Sequence, residues 1–152
     1  MLPFDAEARD NTRLMHIHAS CAARDGHGVL LLGPPGSGKS DLLLRLLDHC
    51  FVLVADDQVE VVDGCAAPPA ALAGLLEVRG LGIMRLPHTA PVRLTLAVRL
   101  EAGARMPDPA CHAPTGLPLV MVDPAQPSAA ARVGLALDCA LGRAAQVAGA
   151  FA

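Results

Sequence analysis

The sequence predicts an α/β fold in a single domain. Three adjoining observations carry that prediction: a continuous apolar run at Val29–Leu32, a glycine-rich turn directly after it, and the leucine-rich segment Asp41–Cys50 beyond the turn. A strand, a tight loop and a helix in immediate succession form the unit from which helix-covered sheets are assembled.

The remaining elements follow in chain order. Residues 1–12 read as a polar arm. Leu14–Ala22 and Gly28–Leu32 read as two strands joined through Arg24-Asp25-Gly26, a turn composition suited to a hairpin. The unbroken Val29-Leu30-Leu31-Leu32 run is that of a strand covered on both faces. Leucines at 42, 43, 44, 46 and 47 suit a well-buried helix over Asp41–Cys50. The short apolar run Phe51–Ala55 ends at Asp56-Asp57, and Val59–Val62 reads as the returning strand. Ala66–Gly74, with Pro68 and Pro69, reads as loop with at most one helical turn, and two glycines break any regular period in Leu75–Arg85. Pro91–Leu100 reads as a strand, 101–117 as a proline- and glycine-rich connection, and Leu117–Val122 as the last strand. Ser128–Val147 is alanine-rich and helix-prone up to an interruption near Gly142. No repeat or linker divides the chain, so 1–152 reads as one domain with a helical C-terminal segment at 128–152.

Composition narrows the class. With 53% hydrophobic and 18% charged residues, a disordered polymer is excluded. No apolar run reaches the roughly 18 to 20 residues that span a bilayer, and the acidic N-terminus lacks the apolar core of a secretory signal. The reading is therefore a cytoplasmic protein without a membrane partner. A net charge of −3 argues against a nucleic-acid binder, which carries a basic stripe. The five cysteines (Cys21, Cys50, Cys65, Cys111, Cys139) lie far apart without a CxxC pair and are expected as reduced, mostly buried thiols. Cys111 beside His112 is their one notable adjacency. Of twelve basic residues eleven are Arg, and the single Lys is Lys39. A compact ammonium on a flexible stem has been kept at one place.

That place is Gly33-Pro34-Pro35-Gly36-Ser37-Gly38-Lys39-Ser40, which matches GxxxxGK[ST]. Glycines at this spacing let successive backbone N–H groups turn inward around an anion, and the dipole of the following helix adds to the attraction. Lys39 is placed to reach the β- and γ-phosphates of a nucleoside triphosphate such as ATP, and Ser40 to ligate Mg²⁺. The chain lacks the NKxD base reader of P-loop GTPases and the LSGGQ signature of ABC-type ATPases, and it has little room for the mobile lid of a metabolite kinase.

Charged residues elsewhere leave choices open. Asp56 and Asp57 end an apolar run, so at least one carboxylate faces the mouth of the site, where it can coordinate Mg²⁺ or accept a proton from an attacking hydroxyl. The alternative is a solvated acidic turn. Glu77 sits with Arg79 in an otherwise apolar stretch and is either a site carboxylate or half of a structural ion pair. His18 is either a packed strand histidine or a site residue, and Arg105 either a phosphoryl clamp or a solvated surface group.

Together these residues resemble the C-terminal catalytic domain of bacterial HPr kinase/phosphorylase. The resemblance runs from about Leu14 to Arg105. His18 stands at the family distance before the loop, Val54-Ala55-Asp56-Asp57 follows it as the family's ADD run does, and Leu75–Ile83 (LLEVRGLGI) is close to the family signature LLEIRGLGI. The resemblance implies a phosphoenolpyruvate-carboxykinase-like P-loop fold, with a mixed sheet and flanking helices. It implies a kinase that uses ATP and Mg²⁺ to phosphorylate a serine of the carrier protein HPr. Lys39 and Ser40 are then assigned to phosphates and metal, Glu77 to metal and Asp57 to general base, and Asp56, from its place at the end of the apolar run, is read as a further metal ligand. His18 and Arg105 match active-site positions. In the family's reverse reaction the same carboxyl acts as acid while inorganic phosphate attacks phosphoserine and releases pyrophosphate.

The chain departs from the family at several points. Pro35 stands where the family has Ser and Asp41 where it has Glu. The N-terminal domain is missing, and the glycine-rich segment after the signature is cut to Leu86-Pro87-His88-Thr89-Ala90. DPAQPS at 123–128 replaces an arginine-containing stretch linked to dephosphorylation. Kinase activity is thus expected ahead of phosphorylase activity, in the manner of shortened alphaproteobacterial forms whose carrier serves a regulatory phosphotransfer system. Homo-oligomer formation is left open. The rival readings are a small-molecule kinase or nucleotide hydrolase on the same loop, and a non-catalytic nucleotide sensor. With no Trp or Tyr, a purine can stack only on aliphatic groups, Arg or Phe51, so weak base discrimination is expected.

Overall fold

The computed structural model describes residues 14–152. The polar arm of residues 1–12 lies outside the described residues. Eleven strands, two α-helices and a 3₁₀ turn are formed: β1 (Met15–Ile17), β2 (Ser20–Arg24), β3 (His27–Leu32), α1 (Lys39–Leu47), β4 (Val52–Ala55), β5 (Val59–Val62), β6 (Cys65–Ala67), the 3₁₀ turn Ala70–Leu72, β7 (Leu75–Val78), β8 (Gly82–Arg85), β9 (Val92–Arg99), β10 (Ala110–His112), β11 (Leu117–Met121) and α2 (Ala129–Ala140).

Nine strands make one mixed sheet in the order β1-β5-β6-β9-β3-β2-β4. β6 pairs antiparallel with the start of β9 at Val92 and Arg93, and β11 pairs parallel with its end at Ala97–Arg99, carrying β10 outside it. β3 and β9 run parallel, whereas β2 is antiparallel to both β3 and β4. The α/β fold with a mixed sheet is the one the sequence predicts.

β3 lies between two cores. Val29 and Leu31 point toward the helices, against Leu42, Leu43 and Leu46 of α1 and Val133 and Leu137 of α2. Leu30 and Leu32 point the other way, into a cluster with Cys21, Val54, Val59, Val61, Ala66 and Leu94. Alternation in a strand sends neighbours to opposite faces, so burial on both faces requires an unbroken apolar run. The β2–β3 hairpin closes on a two-residue loop with both residues at positive φ, Asp25 at 54° and Gly26 at 79°. That geometry matches the twist of the flanking strands. The hairpin tip is tied to the C-terminal region by ion pairs from Arg24 to Asp138 and from Arg143 to Asp25.

Several expectations are corrected. Leu14–Ala22 is two strands rather than one: the chain breaks at His18-Ala19, with β1 pairing to β5 and β2 to β3 and β4. The first helix spans 39–47, not 41–50, because Cys50 takes a φ of 66° that no helix permits. Leu44 on this helix is 37% exposed rather than buried. Residues 65–67 form a strand that runs into the start of the stretch 66–74 read as loop. The segment 75–85, which shows no period, is a hairpin of its own, with Gly80 (φ 87°) and Gly82 (φ 127°) supplying the turn. β10 interrupts the 101–117 connection. α2 stops at Ala140, and Gly142 at φ 72° follows its end. Among the five thiols, all free, only Cys21 is fully buried, while Cys50 and Cys111 are exposed. The neighbour of Cys111, His112, turns inward and shares a 2.7 Å hydrogen bond with the Thr115 hydroxyl, so the two do not face one site. Among the described residues no helix is long and apolar enough to cross a membrane.

Burial pushes the Cys21 thiol up to about 12, with a backbone contact at Val29 offsetting a little of the rise. A thiol reagent at pH 8 is therefore expected to label Cys50 and Cys111 in the native protein and to reach Cys21 only after denaturation, as peptide mapping by mass spectrometry would show.

Candidate nucleotide and phosphoryl-transfer site

The phosphate loop leaves β3 at Leu32 and enters α1 at Lys39. Gly36 (φ 82°) and Gly38 (φ 98°) hold left-handed backbone, and Gly38 opens the helix with no side chain capping its first turn. The first N–H groups of α1 are thus left for an external acceptor. Gly33 is required for a different reason. A Cβ there would stand 2.4 Å from the Ser37 hydroxyl oxygen, which is tucked against the loop without a hydrogen-bond partner. Lys39 is 6% exposed, and its ammonium donates to the carbonyls of Gly33 at 2.7 Å and Pro34 at 3.1 Å.

Two consecutive carboxylates close the site from the end of β4, and they are engaged separately. Asp56 Oδ1 accepts hydrogen bonds from Ser40 Oγ at 2.7 Å and from Ser20 Oγ at 2.8 Å. Asp57 turns the other way at φ 69°, lines the cleft, and stands 3.3 Å from His18 Nδ1. Both members of that pair are well exposed, with 47% of the His18 side chain and 64% of the Asp57 side chain accessible. The Ala19 N–H donates to the Asp57 carbonyl at 3.2 Å, tying the break between β1 and β2 to the carboxylate turn.

The cleft has a volume of about 470 Å³. Pro35, Gly36 and Lys39 form one side, and Glu77, Val78 and Arg79 from the β7–β8 hairpin form another. Glu77 and Arg79 both face this space, and no ion pair joins them. Arg105 lies on the exposed segment between β9 and β10 and is not among the lining residues. Phe51 is 4% exposed, packed in the helix-side core with the Arg24 guanidinium 5.3 Å from its ring centre. It is therefore not available to stack on a base, and the walls left for one are Leu44, Val78 and Arg79.

The residues fit a magnesium–nucleotide. Ser40 and Glu77 both line the cleft, Asp56 meets the Ser40 hydroxyl at 2.7 Å without itself lining that space, and a glycine-formed turn presents uncapped N–H groups beside a lysine. Among the described residues no three His, Cys, Asp or Glu side chains cluster as a cage. Mg²⁺ takes one or two carboxylates and fills its shell with phosphate oxygens and water, so Asp56 and Glu77 with the Ser40 hydroxyl are the residues that would hold it.

Sequence reasoning did not find Ser20, a lone hydroxyl in an apolar strand with no motif to mark it. It also passed over Arg45, whose guanidinium donates to the Pro124 carbonyl at 2.7 Å and holds the 123–126 turn beside the start of α1.

The family model for the HPr Serine kinase C-terminal domain matches residues 11–90, more than half of the chain. The chain belongs to this family. The HPr kinase/phosphorylase of Xylella fastidiosa (strain M12) is 48% identical over 68 residues, which are 40% of this chain and 21% of that protein. The HPr kinase/phosphorylase of Clostridium novyi (strain NT) is 38% identical over 87 residues, 55% of this chain and 27% of the relative. The chain thus aligns with about a quarter of these relatives' length. Among solved structures, that of the Hpr(Ser) kinase/phosphatase from Coxiella burnetii superposes with a TM-score of 0.63 at 21% identity, covering 84% of this chain and 88% of the other. The shared fold therefore extends past residue 90, where the family model's match ends.

Gly33→Ala forces its Cβ onto Ser37 and must displace the loop. Nucleotide affinity is expected to fall at least tenfold by calorimetry, with a loss of roughly 1–3 kcal/mol in unfolding free energy from the overpacked turn.

Proposed function

We propose that the protein is a kinase that uses ATP and Mg²⁺ to phosphorylate a serine of the phosphocarrier protein HPr, in the cytoplasm. The observation that carries this reading is the division of labour between two adjacent carboxylates. Asp56 is committed to the loop serine, Ser40, while Asp57 is exposed at the mouth beside an imidazole. A sensor has no need of the second arrangement, and a hydrolase needs its base only where water can enter, whereas transfer to a protein hydroxyl needs a base exposed at the rim where a protein side chain can reach it.

In this reading Lys39 leaves the Gly33 and Pro34 carbonyls and binds β- and γ-phosphate oxygens. Ser40, Asp56 and Glu77 would hold the metal, which when bound would neutralise phosphate charge. Asp57 accepts the proton of the seryl hydroxyl as its oxygen attacks the γ-phosphorus and the bond to the β–γ bridging oxygen breaks. His18 orients that carboxylate. Arg105, which lies outside the cleft lining, is assigned the clamp on the transferring group from the family resemblance alone. Run in reverse with inorganic phosphate as nucleophile, the protonated Asp57 returns its proton to the serine oxygen while pyrophosphate forms. The family membership and the names of the relatives support HPr as the acceptor.

Transfer of label from γ-labelled ATP to purified HPr is the direct test. Label is expected on HPr with the wild-type protein and Mg²⁺, and not on HPr lacking its acceptor serine. Asp57→Asn is expected to lower the rate about 10²- to 10⁴-fold with nucleotide binding retained, and Lys39→Ala to abolish both binding and transfer. Unlabelled HPr in the presence of bound ATP would remove the carrier assignment and leave a metabolite kinase or a sensor.

A further inference from the structure

Ser20 opens β2, has no solvent-accessible surface, and is flanked by Ala19, Cys21 and Ala22, all buried. In the sheet β2 lies between β3 and β4, and at Ser20 it stands between the two strand ends that deliver the site: Ser20 pairs with Leu31 and Cys21 with Ala55. The phosphate loop leaves one neighbour and Asp56 leaves the other. A hydroxyl fully withdrawn from water is unfavourable unless it is paired, and the side-chain hydrogen bond of Ser20 goes to Asp56 Oδ1. The same oxygen receives the Ser40 hydroxyl. Two donors converging on Oδ1 from different elements fix the rotation of the carboxylate, and no side chain among the described residues donates to Oδ2.

We propose that Ser20 is a positioning residue for the metal: its buried hydroxyl holds the Asp56 carboxylate oriented for a magnesium–nucleotide before that ligand arrives. The inference rests on the magnesium–nucleotide reading of the cleft and deepens it. Asp56 stands at the end of a short strand where the chain turns sharply, with the Gln58 N–H donating back to the Asp56 carbonyl at 2.8 Å. Ser40 alone cannot keep the carboxylate in place, because its hydroxyl is itself the group expected on the metal. Ser20, fully buried, has no duty on the metal and holds the same oxygen throughout. Outer partners of this kind typically change metal affinity about 10- to 100-fold when removed.

The test is calorimetric titration of ADP and a non-hydrolysable ATP analogue into wild type, Ser20→Ala and Ser20→Cys, each with Mg²⁺ and with chelator. The thiol of cysteine is larger than the hydroxyl and donates poorly, whereas alanine leaves the space empty, so a loss common to both variants follows the hydrogen bond rather than the packing. Both variants are expected to lose about tenfold of the affinity gained from Mg²⁺, while affinity in chelator stays within about twofold of wild type. Equal Mg²⁺ gains in wild type and both variants would overturn the inference. So would a Ser20→Cys protein that behaves as wild type while Ser20→Ala does not, since that result assigns Ser20 to packing. A wild-type protein that binds nucleotide equally well with and without Mg²⁺ would instead remove the metal reading on which the inference stands.

Discussion

The phosphate loop is positioned by the burial of β3 on both faces. Val29 and Leu31 are held in one core and Leu30 and Leu32 in the other, so the strand can neither slide nor rotate without exposing leucine on one side. Its end is therefore a fixed point, and the phosphate loop leaves from there. The second half of the site comes from β4, which is not the neighbour of β3 but lies beyond β2. Loop and carboxylates are thus separated by the width of an intervening antiparallel strand, and the start of that strand fills the gap.

The parts of this arrangement that were legible in the sequence are those written locally. The glycine spacing, the lone lysine and the apolar run before them need no information from elsewhere in the chain, and the same holds for an acidic pair that ends a strand. Short β-structure was less legible. Residues 65–67 become a strand only because β5 and β9 flank them, and 75–85 becomes a hairpin only because two glycines with positive φ turn it. Neither leaves a period long enough to detect. Ser20 and Phe51 show the same limit at the level of side chains. Whether a serine meets a carboxylate 36 positions away, or a phenylalanine faces a cleft or a core, is decided by register and packing.

The bias toward arginine has a structural account. Arg24 is paired with Asp138 over the Phe51 ring, Arg45 reaches both Asp41 and the Pro124 carbonyl, and Arg143 joins Asp25. Each ties together segments with a planar, many-donor head suited to bridging two partners at once. Arg45 in particular holds the 123–126 turn against the helix that begins at the phosphate loop. Lysine, a point charge on a mobile stem, serves none of these ties and is used where a charge has to move.

That mobility has a consequence for selectivity. The Lys39 ammonium is already bonded to two main-chain oxygens of its own loop. An incoming anion must compete with those carbonyl dipoles for the cation, so the exchange grows more favourable as more negative charge comes within reach of the ammonium. The loop's own carbonyls therefore set a threshold that a ligand has to cross before the lysine changes partners.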